Sequence, residues 1–87
     1  LPRPDAIFVG GGVSDPAVIP ACREALAAGG RIVANAVTLE GQAELQRAFR
    51  DHGGELVRIA VERAAPVGTM TGWRPAMPVM QWSAVKR

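Results

Sequence analysis

The sequence predicts an α/β fold: two strand–helix units in succession, then two strands, the last of them antiparallel. Short apolar runs at Ala6-Ile-Phe-Val9 and Arg31–Leu39 each lead into a segment whose apolar residues recur every three or four positions. From Glu55 onward the apolar period falls to two. Alternating strand and helix implies at least two parallel strands, because a helical crossover returns the chain to the same sheet edge.

The elements follow in order. Ala6–Val9 is a continuous apolar run stopped by Gly10-Gly11-Gly12, and such a run suits a strand buried on both faces. Ser14-Asp15-Pro16 then announces a helix, with Asp15 as cap and Pro16 at the first helical position. Val18, Ile19, Cys22, Ala25 and Leu26 form its apolar face, Pro20 falls near its first turn, and Gly29-Gly30 supply the stop. Arg31–Leu39 reads as a second buried strand, rich in β-branched residues but interrupted by the amide Asn35. A second helix is expected from about Glu40 to His52, capped by Thr38, with Leu45, Ala48 and Phe49 on one face and Gly53-Gly54 as its end. From Glu55 on, Val57, Ile59 and Val61 alternate with Arg58, Ala60 and Glu62, the pattern of a strand with one buried face. A loop containing Pro66, Gly68, Gly72, Pro75 and Pro78 leads to a last strand, Val79–Val85.

Composition narrows the class. Hydrophobic residues make up 48% of the 87, enough to favour a folded core over disorder. No apolar run approaches the roughly 20 residues of a membrane span, so no membrane partner is expected. Ten basic residues against eight acidic ones give a net charge of +2, and the bases are dispersed. A phosphate-tracking surface needs them clustered, which argues against nucleic acid. A single cysteine, Cys22, excludes an internal disulfide and a cysteine-built zinc site, and fits a reducing cytoplasm. The chain starts at Leu1 and enters a strand within a few residues, so it is expected to be a segment of something longer.

The candidate chemistry gathers at the strand ends. Gly10, Gly11 and Gly12 lie between a strand and a helix, where open α/β sheets bind ligands and where glycine lets a ligand approach the backbone. They form neither G-x-G-x-x-G nor a P-loop, and on local sequence a tight turn requiring positive φ is the somewhat stronger explanation. Asn35 must be hydrogen-bonded, to neighbouring backbone or to a ligand, and with Thr38 and Glu40 it forms a polar set at the second strand's carboxyl end. His52 suits a helix C-terminus better than a metal site, and Cys22 suits packing better than nucleophilic attack. Trp82 reads as core or interface, whereas Trp73 lies in the glycine- and proline-rich loop. Spacing supports no serine–histidine–acid set and no carboxylate pair.

Asp5-Ala-Ile-Phe-Val-Gly-Gly11, together with Gly30-Arg-Ile-Val-Ala-Asn-Ala-Val-Thr-Leu-Glu40, resembles the decarboxylating module of the precorrin-6Y methyltransferase family of cobalamin biosynthesis. Pro75-Ala-Met-Pro-Val-Met-Gln-Trp82 is similar to that family's closing strand. The resemblance implies the Rossmann-like class I S-adenosyl-L-methionine-dependent methyltransferase fold, with strand order 3-2-1-4-5-7-6 and strand 7 antiparallel. Residues 6–10, 31–37, 55–64 and 79–86 would be strands 4, 5, 6 and 7. Residues 1–87 would then be the C-terminal half of the sheet, with the cofactor-binding half upstream. The family's glycine-rich cofactor loop and ribose-binding acid have no counterpart here.

On this resemblance Gly10 and Gly11 would border the cofactor, while Gly12, Asn35 and Thr38 would face the tetrapyrrole. Arg74, in the loop before the last strand, would clamp a substrate carboxylate. The full enzyme would methylate and decarboxylate a precorrin tetrapyrrole in the cytoplasm, and the isolated fragment would be inactive. The expected assembly is a homo-oligomer, because half a sheet leaves apolar surface open. Another class I methyltransferase, or a non-catalytic module that pairs through its sheet edge, are the competing readings.

Overall fold

A computed structural model describes residues 2–87. Six strands and two helices follow one another as β1 (Ala6–Val9), α1 (Val18–Ala25), β2 (Arg31–Ala36), α2 (Leu39–His52), β3 (Glu55–Ile59), β4 (Glu62–Val67), β5 (Met70–Pro75) and β6 (Val79–Val85). Four strands form one sheet in the order β1-β2-β6-β3, and β4 and β5 form a separate two-stranded hairpin. β1 and β2 are parallel, and β6 lies antiparallel between β2 and β3. β3 therefore runs in the same direction as β1 and β2. The expected α/β class, parallel pair and antiparallel last strand are all present.

The core lies on one side of this sheet. Ile32, Ala34 and Ala36 of β2 stand directly opposite Ala84, Trp82 and Met80 of β6. The large indole meets the small Ala34, so the cross-strand layer closes without overpacking. Leu45 and Ala48 of α2, with Ile19 of α1 and Leu26 just beyond it, complete the buried cluster. Trp82 is 0% exposed, and its Nε1–H donates to the Gly53 carbonyl at the end of α2 (2.9 Å). His52 packs against it with ring centroids 6.3 Å apart. Arg3 and Lys86 tie both ends of the described residues to α1, since Arg3 Nη1 donates to Glu24 O (2.6 Å) and Lys86 Nζ to Leu26 O (2.7 Å). These bases satisfy carbonyls at the C-terminal end of α1.

Several sequence expectations change. β1 and β2 are covered on one face only, because both helices contribute to the same core cluster; Phe8 on the other face is 65% exposed. The face of Val57 and Ile59 is likewise open, and it is Leu56 that packs against the core. Arg58, on the Leu56 side, donates to Gln42 Oε1 (3.3 Å). α1 begins at Val18 rather than Pro16. Asp15 caps a turn instead, its Oδ1 accepting from Ala17 N (2.9 Å). The later start places Pro20 third in the helix, where its missing N–H costs no hydrogen bond. α1 then stops at Ala25, before the glycines.

The expected strand over residues 55–64 breaks after Ile59, which is the last residue of β3 to face β6, opposite Val79. Beyond it the chain has no neighbour in the main sheet and pairs with its own return. The segment expected to be a loop is thus the β4–β5 hairpin, turning at Gly68 (φ +62°) and closed at its base by a hydrogen bond from Ala76 N to Val61 O (2.8 Å). The hairpin elongates the molecule to 57 × 23 × 19 Å, with a radius of gyration of 16.2 Å. A compact chain of this length would have about 12 Å.

Candidate functional site

The loops after β1 and β2 meet at the carboxyl edge of the parallel strands. Between them lies a cleft of about 160 Å³, bounded by Gly10–Ser14 on one side and Asn35–Thr38 on the other. Its construction follows from local chemistry. Gly12 turns the chain at φ +77°, a conformation that L side chains disfavour. Its carbonyl accepts from Asp15 N (3.3 Å). Val13, 3% exposed, anchors the loop in the core. Across the cleft, Thr38 caps α2 by accepting from Gly41 N (3.1 Å). Gly41 lets that first turn sit close to the floor: a Cβ there would lie 2.9 Å from Ala36 Cβ and 3.1 Å from Val13 Cγ2.

Five of the six residues singled out from sequence come together here: Gly10, Gly11, Gly12, Asn35 and Thr38. Of the three glycines only Gly12 has positive φ, so turn geometry alone does not account for Gly10 and Gly11. A Cβ on Gly11 would meet nothing within 4 Å, which leaves its backbone accessible from the cleft. Asn35 is half-buried on the open face of the sheet, and its Oδ1 accepts from Gln81 Nε2 (3.0 Å) across the β2–β6 ladder. Gln81 was not visible as a partner in the sequence. The register that places it opposite Asn35 is the signal, and it requires knowing that β6 pairs with β2.

Arg74 is not at the cleft. It lies in β5, on the hairpin, directly opposite Arg63 of β4. A larger recess of about 720 Å³ lies at the other end of the sheet, among Arg31, His52, Glu55 and Val85. That is the amino edge of the parallel strands, away from where open α/β sheets bind ligands. Among the described residues no three histidine, cysteine, aspartate or glutamate side chains are grouped to hold a metal. No ionisable side chain lines the small cleft, so it offers shape and hydrogen bonds rather than acid–base chemistry.

A family model described as precorrin methyltransferase domain matches residues 1–86. The chain belongs to that family. A precorrin-6Y C(5,15)-methyltransferase [decarboxylating] of Sinorhizobium sp is 57% identical over 86 residues, which is 99% of this chain and 21% of the relative. Among solved structures, a putative precorrin-6Y C5,15-methyltransferase targeted domain from Corynebacterium diphtheriae superposes with a TM-score of 0.92 at 41% identity. That match covers 99% of this chain and 51% of the other. The C-terminal domain of precorrin-6Y C5,15-methyltransferase from Rhodobacter capsulatus gives 0.90 at 46% identity, covering 99% and 46%. This chain of the precorrin methyltransferase family thus spans about a fifth of the curated relative and about half of each solved domain. Its sheet order β1-β2-β6-β3 is the 4-5-7-6 portion of the class I methyltransferase arrangement. No helix of the described residues is long and apolar enough to cross a membrane.

Proposed function

We propose that residues 1–87 are the C-terminal part of a methyltransferase domain whose full enzyme methylates and decarboxylates a precorrin tetrapyrrole in cobalamin biosynthesis. The observation that carries this reading is the cleft at the carboxyl edge, built by the two segments whose sequences resemble the family. Its volume of about 160 Å³ falls below the roughly 300–1,000 Å³ of a complete small-molecule site. It suits one reacting substituent rather than a whole macrocycle, and the remainder of the site belongs to chain outside these residues.

The cleft residues fit the reactive end of S-adenosyl-L-methionine. The Gly11 backbone is open to a ligand, yet no carboxylate lines the cleft to hold ribose hydroxyls. When bound, the cofactor supplies an electrophilic methyl group on a positively charged sulfur. Gly10 and Gly11 form the backbone floor beneath that junction, and their lack of side chains permits close approach. Gly12, Asn35 and Thr38 border the tetrapyrrole side, where Asn35, held by Gln81, presents its amide N–H groups. These residues position and exclude water, and orientation of this kind provides much of the rate in a direct group transfer. Carboxylate loss leaves its electron pair in the conjugated macrocycle, so no side-chain acid or base is required of this half of the domain.

We also infer that the enzyme is cytoplasmic, in keeping with the single cysteine of this chain, and that it self-associates, since Phe8, Val57 and Ile59 leave one sheet face apolar and open. Sedimentation showing a monomer at micromolar concentration overturns the second point. The test of function is mass spectrometry of a precorrin incubated with S-adenosyl-L-methionine and the protein that carries this domain. Gain of a methyl group and loss of carbon dioxide are expected, and residues 1–87 alone should give neither. Turnover of protein or RNA acceptors but not of precorrins refutes the reading.

A further inference from the structure

The hairpin carries a feature that neither the cleft nor the core explains. Arg63 and Arg74 are direct cross-strand partners, so their side chains share one face. Like charges placed opposite each other weaken a two-stranded ladder. Nothing on the protein neutralises them: among the described residues neither makes an ion pair or a side-chain hydrogen bond, and the ion pair present is Arg47–Glu44. The hairpin's one acid, Glu62, pairs with Pro75 and so stands on the opposite face. On the arginine face the next pair is Ala65 and Gly72, whose small size leaves space beside the guanidinium groups. A shallow recess of about 500 Å³ lies there, lined by Arg63, Ala65, Pro66, Arg74 and Pro75 among others.

The recess is placed at the same end of the molecule as the cleft. β3 runs parallel to β1 and β2, so the chain leaves the sheet at its carboxyl edge. Four residues later it reaches Arg63, in the second pair of the hairpin ladder. Along the sheet, β3 and β2 are separated only by β6, about 10 Å at ordinary strand spacing. The hydrogen bond from Ala76 N to Val61 O closes the base of the hairpin two residues beyond the end of β3.

We propose that Arg63 and Arg74 together form a carboxylate-binding subsite, which takes a carboxylate arm of the substrate while the reacting part of the macrocycle lies at the Gly10–Gly12 cleft. The proposal rests on the tetrapyrrole reading above and adds Arg63 as a specificity-determining residue. Two guanidinium groups on one face offer more N–H donors than one carboxylate accepts, which suits bidentate contact with a flexible acidic side arm.

The test uses the protein that carries this domain and uroporphyrin, a stable polycarboxylate tetrapyrrole, followed by its fluorescence anisotropy. Arg63→Gln and Arg74→Gln are each expected to weaken binding about ten-fold, the size of one lost charge-assisted contact. Lysine at either position should restore part of the loss, because charge is kept and the planar fork is not. Both residues are exposed, so unchanged circular dichroism is expected to accompany the loss. Unchanged affinity in the double variant overturns the proposal, as does a double variant that binds uroporphyrin normally but dissociates in sedimentation. If binding falls as expected and the unsubstituted protein still fails to methylate precorrins, the carboxylate subsite stands and the functional reading falls.

Discussion

Gly41 occupies the first turn of α2, where alanine ordinarily stabilises a helix by about 1 kcal/mol. Here the sign should reverse. The added Cβ would lie 2.9 Å from Ala36 Cβ, 3.1 Å from Val13 Cγ2 and 3.2 Å from Thr38 Oγ1, inside the optimum of about 3.5–4.0 Å between carbon atoms. None of these neighbours yields freely. Ala36 Cβ is fixed to the β2 backbone, Val13 is buried, and Thr38 Oγ1 holds the helix cap. Overpacking costs about 1–3 kcal/mol, so a net loss of up to about 2 kcal/mol remains after the helix gain. Relief would lift the first turn of α2 and stretch the Thr38 cap. Gly41→Ala and Thr38→Ala should therefore be non-additive, with a coupling of about 0.5–1 kcal/mol. Native-state hydrogen exchange over residues 32–45, in the protein that carries this domain, reads the effect directly. The expected outcome is exchange faster by a factor of up to about thirty. Slower exchange in Gly41→Ala, or simple additivity with Thr38→Ala, refutes the close seating of α2 on the cleft floor.

Two further outcomes follow from the same geometry. Trp82→Phe removes the donor to Gly53 O and leaves part of the indole volume empty, and should cost about 1–3 kcal/mol in chemical denaturation; a change below about 0.5 kcal/mol would show that the indole is not the keystone of the β2–β6 layer. Gly12→Ala forces a side chain into φ +77° with open space around it, so it should destabilise by about 1–2 kcal/mol through backbone strain alone. Restoring stability with Asn or Asp at this position, residues that tolerate positive φ, would support that cause; equal losses for all three would contradict it.

How much was legible in the residues depended on whether the signal was local. The strand–helix units and the Thr38 cap arise from residues near one another in the chain, while the gathering of Gly10–Gly12 with Asn35 follows from their both lying at the carboxyl ends of parallel strands, a rule the strand–helix order already carries. Burial was less legible. The alternation of Val57 and Ile59 marks a strand correctly but gives no sign of which face is covered, which depends on both helices contributing to the same core cluster. The hairpin escaped because Pro66, Gly68, Gly72 and Pro75 all read as breakers. Yet Gly68-Thr69 is a two-residue turn with glycine at its first central position, a hairpin signal outweighed by poor strand propensity on either side. Arg63 carries no signal of its own in the sequence for the same reason, since its pairing with Arg74 exists only once the hairpin does.

The position of β6 between β2 and β3 has a consequence for synthesis. β2 and β3 never touch as neighbours, so β3 has no partner in the main sheet until residues 79–85 have left the ribosome. Until then Leu45, Ala48 and Leu56 lack the Met80, Trp82 and Ala84 surface that covers them in the finished domain. This part of the sheet must therefore close late, with β6 acting as a wedge between two waiting edges. Translation arrest or proteolysis a few residues short of Val85 should yield an aggregation-prone chain rather than a slightly shortened domain.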